Sequence, residues 1–241
     1  MPERRLLRKP RRVTEERVNE FGQPIGRPVV WQSARSPEPQ VLAGVDVTLE
    51  PLAITHAAEL LEALGHTPES WTYLSTEPPT SVADMAAIID LQLALPDALP
   101  FLVRDPQGRA LGTLAYLRDQ PAIGSIEVGW VTFGPALQRT RASTEAQYLL
   151  MRHAFDDLGY RRYEWKCDSL NAPSRRAAVR LGFVEEGTWR NALVSKGRNR
   201  DTTWFSITVE EWPTVKKALE AWLSDDNFED GRQLRSLASL R

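Results

Sequence analysis

The chain has 241 residues, 26% of them charged, and a net charge of −2. That balance argues against a general nucleic-acid binder. The single cysteine, Cys167, leaves no intrachain disulfide and no cysteine-rich metal site. With no long apolar run or leader-like segment, no membrane partner is expected, and a cytoplasmic enzyme of one domain with extensions is the class to test.

Residues 1–12 carry Arg4, Arg5, Arg8, Lys9, Arg11 and Arg12 against Glu3. They read as a solvated terminus or as an arm for nucleic acid or the ribosome. Gly and Pro are dense from Gly22 to Pro39, so residues 1–40 are expected to form an extended basic arm and residues 41–212 the domain proper. Val45, Val47 and Leu49 alternate with Asp46 and Thr48, a strand ending at Pro51. Ile54 to Leu64 has a helical apolar stripe closed by Gly65. Trp71-Thr72-Tyr73 lies in a loop before a helix from Val82 to Leu95, which Ser81 and Asp84 can cap reciprocally. Phe101–Arg104 and Ala110–Leu117 flank the turn Asp105-Pro106-Gln107-Gly108, and a third strand runs Ser125–Phe133.

A loop, Leu137 to Ser143, then leads into a helix expected from Thr144 to Leu158, with a Thr144–Gln147 capping box and a stripe of Ala146, Leu149, Leu150, His153 and Ala154. On that stripe His153 reads as a packed core residue. First-turn N–H groups are unpartnered and the helix dipole is positive there, so this loop, with Arg139 and Arg141, is a site for phosphate or pyrophosphate. Tyr163, Trp165 and Cys167 alternate with Arg162, Glu164 and Lys166 as a further strand. Asn171 caps the next helix, with Pro173 in its first turn and Gly182 past its end. Val184–Leu193 and Thr203–Val209 can form a hairpin around a basic loop, Lys196 to Arg200. Its charges Arg190, Arg198, Arg200 and Asp201 can meet a substrate or a cofactor's phosphates, or, as preferred for Arg198 and Arg200, only solvent. Residues 213–241 are expected as a helical C-terminal extension whose end packs on the domain, makes a dimer contact or frays.

Gln138-Arg139-Thr140 with Thr144-Glu145-Ala146, Asn171-Ala172-Pro173-Ser174, and Leu181-Gly182-Phe183 with Glu186-Gly187 together resemble the GNAT N-acetyltransferases, and within them the ribosomal-protein N-terminal (serine/alanine) acetyltransferase branch. The resemblance covers roughly Val45 to Trp212. It implies an α/β (α+β) GNAT fold, a mixed, mostly antiparallel, splayed sheet flanked by helices. It also implies acetyl-CoA as acetyl donor, no metal, and an amine acceptor, a small molecule or a protein N-terminus. Arg141 stands where the usual loop has glycine.

Carried onto this chain, the resemblance places the pyrophosphate on Gln138, Arg139, Thr140, Arg141, Ala142, Ser143 and Thr144. The pantetheine and acetyl group follow Val131, Thr132 and Phe133, with Asn171 and Ser174 also on the cofactor. Glu127, on the face of Gly129 and Val131 by alternation, is the candidate general base and acceptor contact; an ion pair with a neighbouring strand's arginine is its other reading. A second base position of some relatives falls on Leu193, and the tyrosine that many family members use as acid falls on Ala178. Ser174 is left as hydroxyl donor to the departing thiol, or as a first-turn cap. Trp71 and Tyr73 either wall the acceptor site or cover the core. Against the enzyme stands a catalytically inactive acyl-CoA-binding sensor or interaction module, and a homodimer is left open.

Overall fold

The structure, a computed structural model, describes residues 17–65 and 67–241; the basic run at residues 4–12 lies outside them. The chain divides into two compact units, one ending at Gln32 and one spanning Ser33–Arg241. In the first, β1 (Arg17–Val18) pairs antiparallel with β2 (Pro24–Ile25). Its turn is held by the Asn19 side-chain oxygen, which accepts the N–H groups of Phe21 and Gln23. The larger unit begins before the compositional boundary at residue 40, because the N–H of Ala34 donates to Pro121 O and that of Arg35 to Leu158 O.

The larger unit is built on one sheet. Its strands are β3 (Leu42–Ala43), β4 (Thr48–Pro51), β5 (Leu99–Arg104), β6 (Ala110–Gln120), β7 (Ser125–Phe133), β8 (Arg162–Asp168), β9 (Val184–Ser195) and β10 (Arg198–Thr208). They lie in the order β3-β4-β5-β6-β7-β8-β10-β9. Every neighbouring pair is antiparallel except β7–β8. This is the mixed, mostly antiparallel sheet expected. Helices α1 (Ala57–Leu64) and α2 (Val82–Leu93) cover one face of its first half, and α3 (Arg141–Arg152), α4 (Ala172–Leu181) and α5 (Trp212–Leu223) pack on the other side.

The cores follow from the apolar stripes. Leu60, Leu64, Met85 and Ile89 of α1 and α2 are buried against Leu102 of β5, and each such side chain contributes about 1.5–3 kcal/mol. On the other side Tyr116 is fully buried and its hydroxyl donates to Leu150 O at 2.6 Å. His153 is buried beside it, its Nδ1 at 3.2 Å from that hydroxyl and its Nε2 at 2.9 Å from Gln40 Nε2. Burial holds the imidazole pKa down, so it is a neutral, hydrogen-bonded core residue. Ser81 and Asp84 exchange the capping bonds their spacing foretells.

Three local expectations change, and one left open is decided. Residues 44–47 are a turn, not strand: the Glu145 carboxylate accepts the N–H groups of Val45, Asp46 and Val47 at 2.6–2.9 Å, so those amides are taken from the sheet. The helix after the loop starts at Arg141, with Thr140 as cap accepting the Ser143 N–H, so Thr144 lies buried inside it, and α3 ends in a π turn, His153–Asp157. The basic loop shrinks to a two-residue turn, Lys196-Gly197, both with positive φ (50° and 69°), as a tight hairpin demands. Finally, the C-terminal segment packs on the domain. After the short hairpin β11 (Phe228–Glu229) and β12 (Arg232–Gln233), Leu237 is buried and the Arg241 guanidinium donates to Val179 O.

Candidate active site

Strands β7 and β8 pair in parallel only from Ser125 with Arg162 to Val128 with Trp165. Beyond that, Gly129–Phe133 keep β6 as partner but have no ladder with β8. The cause is local. Opposite Leu114, β7 places two residues, Trp130 and Val131, and Trp130 has a φ of 48°. A bulge of this kind bends its strand and adds twist. It also shifts the alternation: Glu127 pairs with Leu117, Gly129 with Ala115 and Thr132 with Thr113. Glu127 and Gly129 therefore share their face with Thr132, and not with Val131 as strict alternation requires.

The splay opens a cleft of about 1670 Å³. Val131, Thr132 and Phe133 line it with an unpaired strand edge, and Gln138, Arg139, Thr140, Arg141, Ser143 and Thr144 line its mouth. Asn171 and Ser174 at the start of α4, Glu127, and Tyr73 also reach it. Two expected residues are not among those lining it, Ala142 and Trp71. The Ala142 N–H, like that of Arg141, still lies in the first turn of α3 without a partner among the described residues, whereas that of Ser143 is taken by Thr140 Oγ1. Trp71 is 3% exposed and packs in the α1–α2 core, the second of its two readings, and does not line this cleft. Of the two aromatics, only the half-buried Tyr73 lines the cleft.

At the mouth the charges are not those expected. The Arg141 guanidinium turns away to Asp46 at 3.1 Å and Asp225 at 2.7 Å, and donates to Leu223 O at 2.6 Å. Two carboxylates neutralise it, so it adds little charge for an anion. Arg139 is exposed and forms no ion pair among the described residues, with its backbone in the left-handed region at φ 61°.

On the other side of the splay, Glu127 is 1% exposed. Lys166 Nζ is 3.0 Å from its carboxylate and Arg118 Nε 3.5 Å. The neighbouring-strand partner is therefore first a lysine and then an arginine. Burial pushes the Glu127 pKa up, and the two cations hold back part of the rise. Gly129 keeps the carboxylate reachable: a Cβ there would lie 3.2 Å from Glu127 Oε1 and 2.4 Å from Leu117 Cδ1. Trp204 braces both cations, with the Arg118 guanidinium 5.0 Å and Lys166 Nζ 5.2 Å from its ring centre.

Ser174 serves two purposes. Its N–H donates to the capping Asn171 side chain at 3.1 Å, and its Oγ accepts the Trp165 indole N–H at 3.0 Å. One of its two lone pairs is so used, and the hydroxyl also meets the Cys167 thiol, holding back part of the rise that burial gives that thiol's pKa. Ala178, at the family's tyrosine position, is buried, and Leu193 lies exposed on β9. Arg198 and Arg200 are not simple solvent charges. Arg198 donates to Thr72 O at 3.2 Å and Lys196 to Trp71 O at 2.9 Å, tying the β9–β10 turn to the loop before α2, and Arg200 lines the cleft. Sequence reasoning missed Lys166, Arg118, Gln147 and Arg180. Alternation alone could have placed Lys166 beside Glu127, but no local signal aims Arg180 at the mouth. No group of three or more His, Cys, Asp or Glu among the described residues is placed to hold a metal ion.

A strand edge freed of its neighbour, a helix N-terminus at one end and a buried carboxylate at the other line one continuous cleft that suits a long ligand carrying negative charge. The chain belongs to the GNAT acetyltransferase family: residues 46–184 match the family described as "Acetyltransferase (GNAT) domain". It is similar to a solved GCN5-related N-acetyltransferase from Brucella melitensis, with 42% identity, a TM-score of 0.85, and 88% of this chain and 98% of that one covered. A probable GNAT acetyltransferase from Chromobacterium violaceum ATCC 12472 is 40% identical with a TM-score of 0.74, over 79% of this chain and 99% of that one. Among curated proteins, "Putative ribosomal N-acetyltransferase YdaF" of Bacillus subtilis (strain 168) is 33% identical over 73 residues, 30% of this chain and 40% of that relative.

Proposed function

We propose that this chain is an acetyl-CoA-dependent N-acetyltransferase whose acceptor is a primary amine, with the α-amine of a protein or peptide N-terminus favoured over a lysine side chain. The observation that carries the reading is the cleft itself, which joins the open first-turn amides of α3, the unpaired edge of β7 and the reachable carboxylate of Glu127. Acetyl-CoA would supply the activated acyl group and a thiol leaving group. The residues fit it: the Arg141 and Ala142 amides suit its pyrophosphate, and the bulged edge of β7 presents N–H groups toward its pantetheine and acyl carbonyl. Glu127 takes the amine's proton through water, helped by a raised pKa that keeps it a stronger base than an ordinary carboxylate. The Ser174 hydroxyl, oriented by Trp165, donates toward the sulfur. Catalysis rests mainly on placing amine and acyl carbon together.

The α-amine preference is a matter of protonation. Its pKa is about 7.7–8.0 against about 10.4 for lysine, so far more is neutral at pH 7 and a water-relayed carboxylate suffices. The name of the ribosomal relative supports a protein acceptor. No helix among the described residues is long and apolar enough to cross a membrane, which fits a cytoplasmic setting. A second reading, an acyl-CoA sensor without turnover, draws on the missing tyrosine at Ala178. The test is to supply acetyl-CoA with two matched peptides, one with a free N-terminus and one N-blocked with a free lysine. Acetylation of the first alone is expected. Equal or faster reaction of the blocked peptide overturns the acceptor reading, and binding without turnover on any amine establishes the sensor.

A further inference from the structure

Past the N-terminus of α3 the cleft continues to the C-terminal segment, which lies beyond the family match at residues 46–184. Trp222, Phe228 and Gln233 line that outer end. The segment is firmly set. Asn227, 1% exposed, donates to Trp222 O and Arg235 O and accepts the Arg235 N–H. Asp225 pairs with Arg141, whose guanidinium lies 5.1 Å from the Phe228 ring centre.

Facing this wall is a cation without a counter-ion among the described residues. Arg180, near the end of α4, lies over the Trp222 ring at 4.6 Å and donates to Thr144 Oγ1 at 3.0 Å. It meets no carboxylate among the described residues. The residue is exposed as a whole, while crowding of its guanidinium, with Arg241 nearby, holds its pKa down. A second, independent observation points to a ligand here. Gln147, nearly two turns into α3 and 2% exposed, lines the same cleft, and neither its Oε1 nor its Nε2 has a hydrogen-bond partner among the described residues. Buried amides left in this way are costly unless something else meets them.

We propose that Arg180 and the C-terminal hairpin form the nucleotide end of the donor site, with Arg180 holding a phosphate of the adenosine 3′,5′-bisphosphate unit and the β11–β12 hairpin walling the adenosine. Arg180 thus supplies the charge that Arg141 has surrendered to Asp46 and Asp225, and residues 222–233 are part of the donor site instead of an appendage to it. The inference rests on the donor assigned above.

Calorimetry on the full chain tests it with three probes: CoA, adenosine 3′,5′-bisphosphate, and 4′-phosphopantetheine, which lacks the nucleotide. Arg180→Gln is expected to weaken CoA and the bisphosphate about tenfold or more, as loss of a charge-assisted bond does, and to leave phosphopantetheine and the unfolding temperature unchanged. Arg180→Lys should recover part of the loss. Phe228→Ala should weaken the same two probes, and Arg109→Gln, remote from the cleft, controls for net charge. If Arg180→Gln and Phe228→Ala bind CoA as the parent does, or lose CoA and phosphopantetheine equally, the proposal is overturned. A parent chain that binds no CoA at all overturns the donor assignment itself, and this inference with it.

Discussion

Replacing Glu127 by glutamine removes the proton acceptor and keeps the side chain's shape. The structure indicates how much else changes. The carboxylate is 2% exposed, but its partners Lys166 and Arg118 are 30% and 41% exposed, and Trp204 still braces both. They stay solvated when the acid is gone, so the stability cost is small, about 1–2 kcal/mol at most. The rate cost is larger, because a positioned general base contributes about 10²–10⁴-fold, or about 3–5 kcal/mol of barrier. The pH dependence sets the base apart from a purely structural acid. Only the ionised carboxylate accepts a proton, and burial raises its pKa, so parent kcat/KM should fall as pH drops through a value above the ordinary glutamate pKa of about 4.3. Glu127→Gln should lack that limb and keep only the one set by the amine near about pH 8. The deficit is then widest between the two limbs and shrinks at high pH, where the amine is neutral unaided. A variant with the parent's rate and acid limb would reduce Glu127 to an ion-pair partner of Lys166.

Arg141→Ala should lower the unfolding temperature, since it breaks the contacts to Asp46, Asp225 and Leu223 O; a loss of about 1–3 kcal/mol is expected in denaturant unfolding. Trp71→Ala and Tyr73→Ala should separate two aromatics that lie two residues apart. The first empties the α1–α2 core and costs about 3–5 kcal/mol. The second leaves stability unchanged and raises the acceptor KM in steady-state kinetics.

The alternation of β5 to β8, the caps at Ser81 and Asn171 and the glycine at Gly182 were legible because each depends on neighbours within a few residues. So was the cleft's outline, since strand, loop and helix follow one another along the chain. Several of the misreadings involve partners far away in sequence. Thr140 and Thr144 both offer a hydroxyl where α3 could begin, and each is followed three residues on by a polar side chain. Starting at Arg141 sets the Glu145 carboxylate under the amides of Val45 to Val47, a bond across about a hundred residues that no window of sequence contains. Trp71 and Tyr73 look equivalent in a polar loop until α1 and α2 close over one of them. The bulge at Trp130 is the hardest to foresee. It breaks the alternation with a tryptophan instead of a glycine, at the point where the sheet must split.

The donor loop shows how this chain does without the family's glycine. Glycine serves such a loop by adopting a left-handed backbone or by letting a ligand approach the chain closely. Arg141 needs neither, because it lies within the first turn of a helix and sends its side chain to Asp46 and Asp225. The left-handed position falls instead on Arg139, φ 61°, at a cost of about 1–2 kcal/mol for a residue with a Cβ. At the mouth of the proposed anion site, a strained arginine is expected to put its charge to use. Arg139→Ala and Arg139→Gly divide the two effects. Both remove the charge, so both should weaken CoA binding to the same extent, and the loss should fade as salt screens the attraction. Only glycine relieves the backbone, so the Gly variant should unfold at a higher temperature than the Ala variant, by less than the full strain because glycine also frees the unfolded chain. Calorimetry at low and high salt, with thermal unfolding of the three proteins, measures both. If the parent and both variants bind CoA equally at low salt, the charge is idle, and the donor's phosphates depend on the α3 amides and Arg180 alone.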